Sequence, residues 1–169
     1  MKHFWGVLIL ILVCNIVYGQ KFSVGDTVPD INLPGVNGEE MVLSSLKGKM
    51  VLVDFWASWC APCRKENPNI VAAYNKYKDA KFKNGDGFTV FGVSLDYSAK
   101  GWEKAIEKDQ LSWEYHVSDL KGWKSSAAVD YDVSAIPVSY LIDGNGVVVA
   151  VNPKGDVLQS KLKKLKKKR

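Results

Sequence analysis

The apolar run Met50-Val51-Leu52-Val53-Asp54-Phe55-Trp56, followed closely by Cys60-Ala61-Pro62-Cys63, constrains the fold of this chain more than any other stretch. Such a run is too apolar for a half-exposed strand, so it predicts a buried central strand over residues 50–55. The cysteines then open a helix predicted over residues 60–77. Residues i and i+3 share one helix face at roughly 5–6 Å, a separation that a disulfide accepts. The helix N-terminus has free N–H groups and the positive end of the macrodipole, both of which favour a thiolate at Cys60. The pair can therefore exist as dithiol or disulfide. A bridge closing so short a loop stabilises little, so it reads as a redox pair rather than a structural staple. Pro62 lacks an N–H where the first helical turn needs none, and it stiffens the loop.

Asp54 stands out in the central strand. Burying a carboxylate is costly and should raise its pKa. From the residues alone it is a carboxylate facing a solvent channel. Glu66 falls one turn past Cys63. From the residues alone it is a helix-surface residue that pairs with the neighbouring Arg64 and Lys65.

Elsewhere the chain alternates strands and helices. Residues 31–34 and 41–43 flank a Gly/Asn/Glu turn and predict a short hairpin. The predicted helix over 60–77 turns Ile70, Val71, Tyr74 and Tyr77 inward, and Pro68 lies inside it. Residues 88–95 predict a second buried strand, and 99–109 a helix with Trp102 and Ile106 inward. A short strand over 113–117 and a short helix over 124–131 follow. Residues 138–142 and 147–151 predict two strands joined by Asp143-Gly144-Asn145-Gly146, a strong hairpin signal. From Asp156, the stripe Leu158, Leu162, Leu165 predicts a helix docked on the sheet. This order gives an α/β fold with a mixed sheet flanked by helices, parallel where helices cross over and antiparallel in the hairpin.

At 169 residues and 47 % hydrophobic content, with six Trp and seven Tyr, the chain reads as one compact domain. Its N-terminus resembles an export signal: Lys2 and His3, an apolar run over 4–13, then Val17-Tyr18-Gly19 before a cut that leaves a chain starting at Gln20. That run is shorter than the about 20 residues of a spanning helix, although an uncleaved anchor is the alternative. Removing residues 1–19 removes Cys14, leaves residues 20–169 as the domain, and leaves Cys60 and Cys63 with no spare thiol. Export implies an oxidising compartment, the bacterial periplasm, where such a pair stays reduced only if something upstream reduces it.

The net charge of +5 is unevenly placed. Seven of the last nine residues, from Lys161, are basic, whereas residues 20–160 hold 15 basic against 18 acidic residues. The tail is read as a fraying helix end whose cations suit the dipole, with weak contact to an anionic membrane as the other reading. No nucleic-acid motif is present. His116, the only histidine left after export, has no second ligand spaced to it, so neither a metal site nor a cofactor is expected.

This order of elements and these residues resemble the thioredoxin fold, and more narrowly the exported thiol-disulfide oxidoreductases of the TlpA/ResA type, over about residues 22–166. The string from Val53 to Cys63 follows the thioredoxin active-site string. Pro68 matches that family's helix proline, and Ile136-Pro137 before a strand matches its cis-proline. The N-terminal hairpin and the segment 96–119 separate the TlpA/ResA type from plain thioredoxin. The resemblance implies Cys60 as nucleophile, partly exposed, and Cys63 as the deeper, resolving thiol. It implies Asp54 as the acceptor of the buried cysteine's proton and Glu66 as the acid of a Cys-x-x-Cys-x-x-Glu pattern. It implies a cis Pro137, and a substrate-binding rim of Trp59, Ala61, Pro62, Ile136 and Pro137, while Trp56 serves either function or core packing. Ala-Pro between the cysteines suggests a reductant, nearer about −270 mV than about −120 mV.

Reduction of protein disulfides, fed by a membrane thiol reductant, is the implied activity, with cytochrome c maturation as one role. Two alternatives remain. A peroxiredoxin-like peroxidase uses a Pro-x-x-x-Thr-x-x-Cys pattern, whereas Val53 and Ala57 occupy those positions here. A metal-carrying protein could use the two thiolates for a soft ion.

Overall fold

The computed structural model describes residues 21–168. The export signal assigned to residues 1–19, with Cys14, lies outside the described residues.

The elements in chain order are β1 (Asn32–Pro34), β2 (Glu40–Val42), β3 (Met50–Trp56), α1 (Ala61–Tyr77), β4 (Lys81–Phe82), β5 (Gly85–Asp86), β6 (Phe88–Ser94), α2 (Ala99–Lys108), β7 (Tyr115–Val117), α3 (Ser126–Asp130), β8 (Val138–Ile142), β9 (Val148–Val151) and α4 (Asp156–Leu165). Five strands form the main sheet in the order β7-β6-β3-β8-β9. β3 is central, and all seven of its residues are buried. It runs parallel to β6 and antiparallel to β8. The crossover through α1 makes the parallel pair possible, since a parallel neighbour cannot be reached by a tight turn. This is the mixed, helix-flanked sheet that the sequence predicts.

The β8–β9 turn shows why its sequence is so specific. The Asp143 carboxylate accepts the N–H groups of Asn145 at 2.9 Å and Val147 at 3.1 Å. Gly146 adopts φ +81°, a conformation that side chains disfavour. Successive β3 side chains point to opposite faces of the sheet. Phe55 meets the Tyr131 ring, 5.1 Å between centroids, on one face. α1 and α4 pack together, with Tyr77 donating its hydroxyl to the Gln159 carbonyl at 3.3 Å.

Two local features differ from expectation. Residues 81–86 form a small antiparallel pair, β4–β5, too short to leave a hydrophobic period in the sequence. The basic tail does not simply fray after Leu165. Lys166 pairs with Phe82, and the Lys167 N–H donates to the Lys81 carbonyl at 2.8 Å. Leu158 and Leu162 bury themselves as predicted, while Leu165 is only half-buried.

Candidate active site

β3 ends at Trp56, and four residues later Cys60 takes the N-cap of α1 in an extended conformation, φ −83° and ψ 96°. Its carbonyl accepts the Arg64 N–H at 3.0 Å, closing the first helical turn. Its sulfur takes the place that a Ser or Asp oxygen usually fills, accepting the Cys63 N–H at 3.2 Å. Cys60 and Cys63 are joined, with S–S 2.05 Å and Cα–Cα 5.3 Å. Pro62 lies at the second helical position, where its missing N–H costs nothing.

Cys60 is less open than the sequence suggests. It is 5 % exposed against 2 % for Cys63, because its sulfur turns inward onto its partner. The exposed part of this edge is aromatic. Trp59 is 49 % exposed and lies 6.0 Å, centroid to centroid, from Trp123, itself 40 % exposed. The Trp123 N–H donates to the Tyr97 hydroxyl at 3.4 Å. Gly122 lets the Tyr97 ring close onto this loop: a Cβ there would sit 1.9 Å from the ring. Trp123 and Tyr97 escape sequence reasoning, because neither belongs to a motif and only the fold brings Trp123 to Trp59 and Tyr97 to Trp123.

The Ile136–Pro137 peptide bond is cis. The pairing of Phe55 with Val138 places Pro137 at the same end of the sheet as the cysteine loop. Both Ile136 and Pro137 are half-buried. Ala61 and Pro62 are exposed at the start of α1.

Asp54 lies in β3 between Gly92 of β6 and Ser139 of β8. Burial first, and then the nearby Glu66 charge, raise its carboxyl pKa to about 7 against the lowering effect of Lys154. Glu66 does not pair with Arg64 or Lys65. Its Oε1 accepts the Gly155 N–H at 2.6 Å, and its Oε2 accepts from the Asn69 amide at 3.1 Å. Arg64 instead donates to Asp109 and to the Ser58 carbonyl. The structure thus links Asp54 and Glu66 electrostatically and ties Glu66 to the entry of α4.

Trp56 is core. His116 is buried, with Nε2 3.1 Å from the Leu111 carbonyl and its ring stacked on Trp113. Burial, against weaker help from the Leu111 and Trp113 backbone, lowers its pKa to about 4. Among the described residues no group of three His, Cys, Asp or Glu side chains is placed to hold a metal ion. A groove of about 430 Å³ bounded by Val28, Leu46, Val51 and Ile142 opens elsewhere, and none of the candidate site residues lines it.

Comparison with known proteins agrees with this geometry. The model of the AhpC/TSA family matches residues 24–151. The thiol-disulfide oxidoreductase ResA of Bacillus subtilis (strain 168) is 30 % identical over 153 residues, covering 85 % of this chain and 80 % of its own. Among solved structures, the thioredoxin domain of a thiol-disulfide oxidoreductase from Bacteroides vulgatus superposes with TM-score 0.75 at 36 % identity, covering 85 % of this chain and 97 % of that one. A thiol:disulfide interchange protein from Bacteroides sp. superposes with TM-score 0.74 at 35 % identity, over 84 % and 89 % of the two chains.

Proposed function

Since this chain belongs to the AhpC/TSA family and is a thioredoxin-like thiol-disulfide oxidoreductase, we propose that it is exported and reduces protein disulfides through Cys60 and Cys63. The observation that carries this reading is the Cys60–Cys63 bridge at the N-cap of α1, beside the exposed Trp59. In the reduced state the Cys60 thiolate, favoured by the helix end, attacks one sulfur of a substrate disulfide. That bond breaks, and the departing sulfur leaves as a thiolate that takes up a proton. Cys63 then gives its proton to Asp54, whose raised pKa suits it to the transfer near neutrality. The Cys63 sulfur attacks Cys60, the second substrate thiol leaves, and the Cys60–Cys63 disulfide remains.

Trp59, Ala61, Pro62, Ile136 and Pro137 frame the substrate chain, and Trp123 extends that apolar rim. Glu66 adds negative charge near Asp54 and thereby tunes it. An upstream membrane thiol reductant returns the pair to the dithiol state. The leader at residues 1–19 supports placement in an oxidising compartment such as the periplasm. There an apocytochrome's haem-attachment cysteines are one suitable substrate. The peroxidase reading finds no polar support, because Val53 and Ala57 are apolar and buried.

Cys63→Ser tests the proposal. It should accumulate a covalent adduct through Cys60 that a reductant releases, and mass spectrometry of the adduct names the substrate. Rapid peroxide consumption without any protein disulfide present would overturn this reading in favour of a peroxidase.

A further inference from the structure

Ser58, two residues before Cys60, has all three of its polar groups taken. Its N–H donates to the Asp96 carboxylate at 2.9 Å, and its hydroxyl donates to the other oxygen of that carboxylate. Its carbonyl accepts from Arg64 Nη1 at 3.1 Å. Arg64 is in turn held by Asp109 through Nε and Nη2, the latter at 2.6 Å. Asn67 adds a hydrogen bond to Asp109 at 2.7 Å. Asp96 is itself buried and also receives the Ser94 hydroxyl at 2.7 Å. Both carboxylates come from the segment between β6 and β7.

Neither member of the Arg64–Asp109 pair suits its own helix. Arg64 is a cation near the positive end of α1, and Asp109 is an anion at the C-cap of α2, the negative end. Charges placed against both dipoles, yet locked in a two-pronged ion pair, point to a purpose outside the helices. Burial would raise the Asp109 carboxyl, but its bonds from Arg64 and Asn67 win and hold it below the usual carboxylate range. The grip that results fixes the backbone leading into the Cys60 cap.

We propose that Asp96 and Asp109 are positioning residues for the exchange reaction, clamping Ser58 so that the sulfur of Cys60 stays aligned on the start of α1 once the disulfide is opened. The proposal rests on the reading of Cys60 as the attacking thiol. Without the clamp, Cys60 leaves the cap and its thiol behaves more like that of a free cysteine, which titrates at about 8.5.

The test uses the reduced protein. Alkylation of Cys60 by iodoacetamide is followed across pH by mass spectrometry, alongside insulin reduction and thermal melting. Asp109→Ala and Asp96→Ala each remove an anion, which by charge alone favours the thiolate, yet loss of the cap should outweigh this, moving the alkylation midpoint upward and slowing insulin reduction about tenfold. Asp96→Asn, which keeps an acceptor for Ser58, should recover to within about threefold. Ser58→Ala removes a single hydroxyl from a half-buried site, and it carries the test if Asp96→Ala does not fold; a smaller shift in the same direction is expected. Wild-type midpoints and rates in Asp109→Ala and Ser58→Ala overturn the proposal, even if melting temperatures fall. A Cys60→Ser control separates the two claims. If it still reduces insulin, the attacking-thiol reading fails and takes the clamp with it. If it is inactive while the clamp variants are unshifted, the clamp alone fails.

Discussion

Helices α1 and α4 begin in opposite ways. The positive end of α4 meets carboxylates: Asp156 stands in its first turn, and Glu66 of α1 accepts the Gly155 N–H at 2.6 Å. No carboxylate caps the free N–H groups at the positive end of α1, since Asp96 and Asp109 are taken up by Ser58 and Arg64. That helix has no acid in its first turn, a sulfur at its N-cap, and Arg64 four residues on. One helix entry is thus built for stability, and the other is left free for a sulfur anion. The proposed reaction thus takes place where the ordinary stabilising device has been withheld.

Replacing the sulfur should have the largest effect. Cys60→Ser should lose insulin reduction by at least about a thousandfold, and retained turnover would mean that the open end of α1 is not the reactive one. Next comes the buried carboxylate that Glu66 influences. Folded Asp54 keeps its proton to about pH 7, whereas the unfolded chain gives it up at about 3.8. Between those values the folded state holds more protons, so this group's contribution falls as pH rises and is fully lost above about 7. Asp54→Asn should therefore gain up to about 4 kcal/mol relative to wild type at pH 8 and little at pH 4. Urea unfolding at the two pH values measures it, and equal gains at both would contradict a raised carboxyl.

Making α1 resemble α4 is a subtler change. Ala61→Asp places an acid in the first turn of α1, which should stabilise the helix by about 0.5 kcal/mol while raising the Cys60 alkylation midpoint by about half a pH unit. The two changes must have opposite functional value; a stabilised variant with an unchanged midpoint would break the contrast. Smallest of all is Glu66→Gln. It keeps an acceptor for Gly155 but removes the charge, so the melting temperature should move by no more than about 2 °C. The Asp54 titration, followed by carboxyl NMR, should drop by a few tenths of a unit from about 7.

The cysteine pair, the buried β3 and the Asp143–Gly146 turn were legible because each is local: its chemistry and its period lie within a few neighbouring residues. The partner of Glu66 was not, because Gly155 lies 89 residues away. Arg64 beside Glu66 invited a neighbour pairing, yet the fold brings Asp109 to it across 45 residues, leaving Glu66 free for α4. The two Asp96 bonds to Ser58 span 38 residues and carry no motif. The inward turn of Cys60 was missed for a related reason, since a closed disulfide changes which atoms face water.

The anchoring of Lys166 and Lys167 on β4 has a directional consequence. β4 and β5 lie by the Met50 end of β3, with Asp86 bonded to Gly48, whereas the reactive bridge follows the Trp56 end. Seven strand residues put about 20 Å between them. A tether or an immobilising support attached beyond Lys168 therefore holds the molecule at the end away from the disulfide and leaves the Trp59 rim clear for arriving chains.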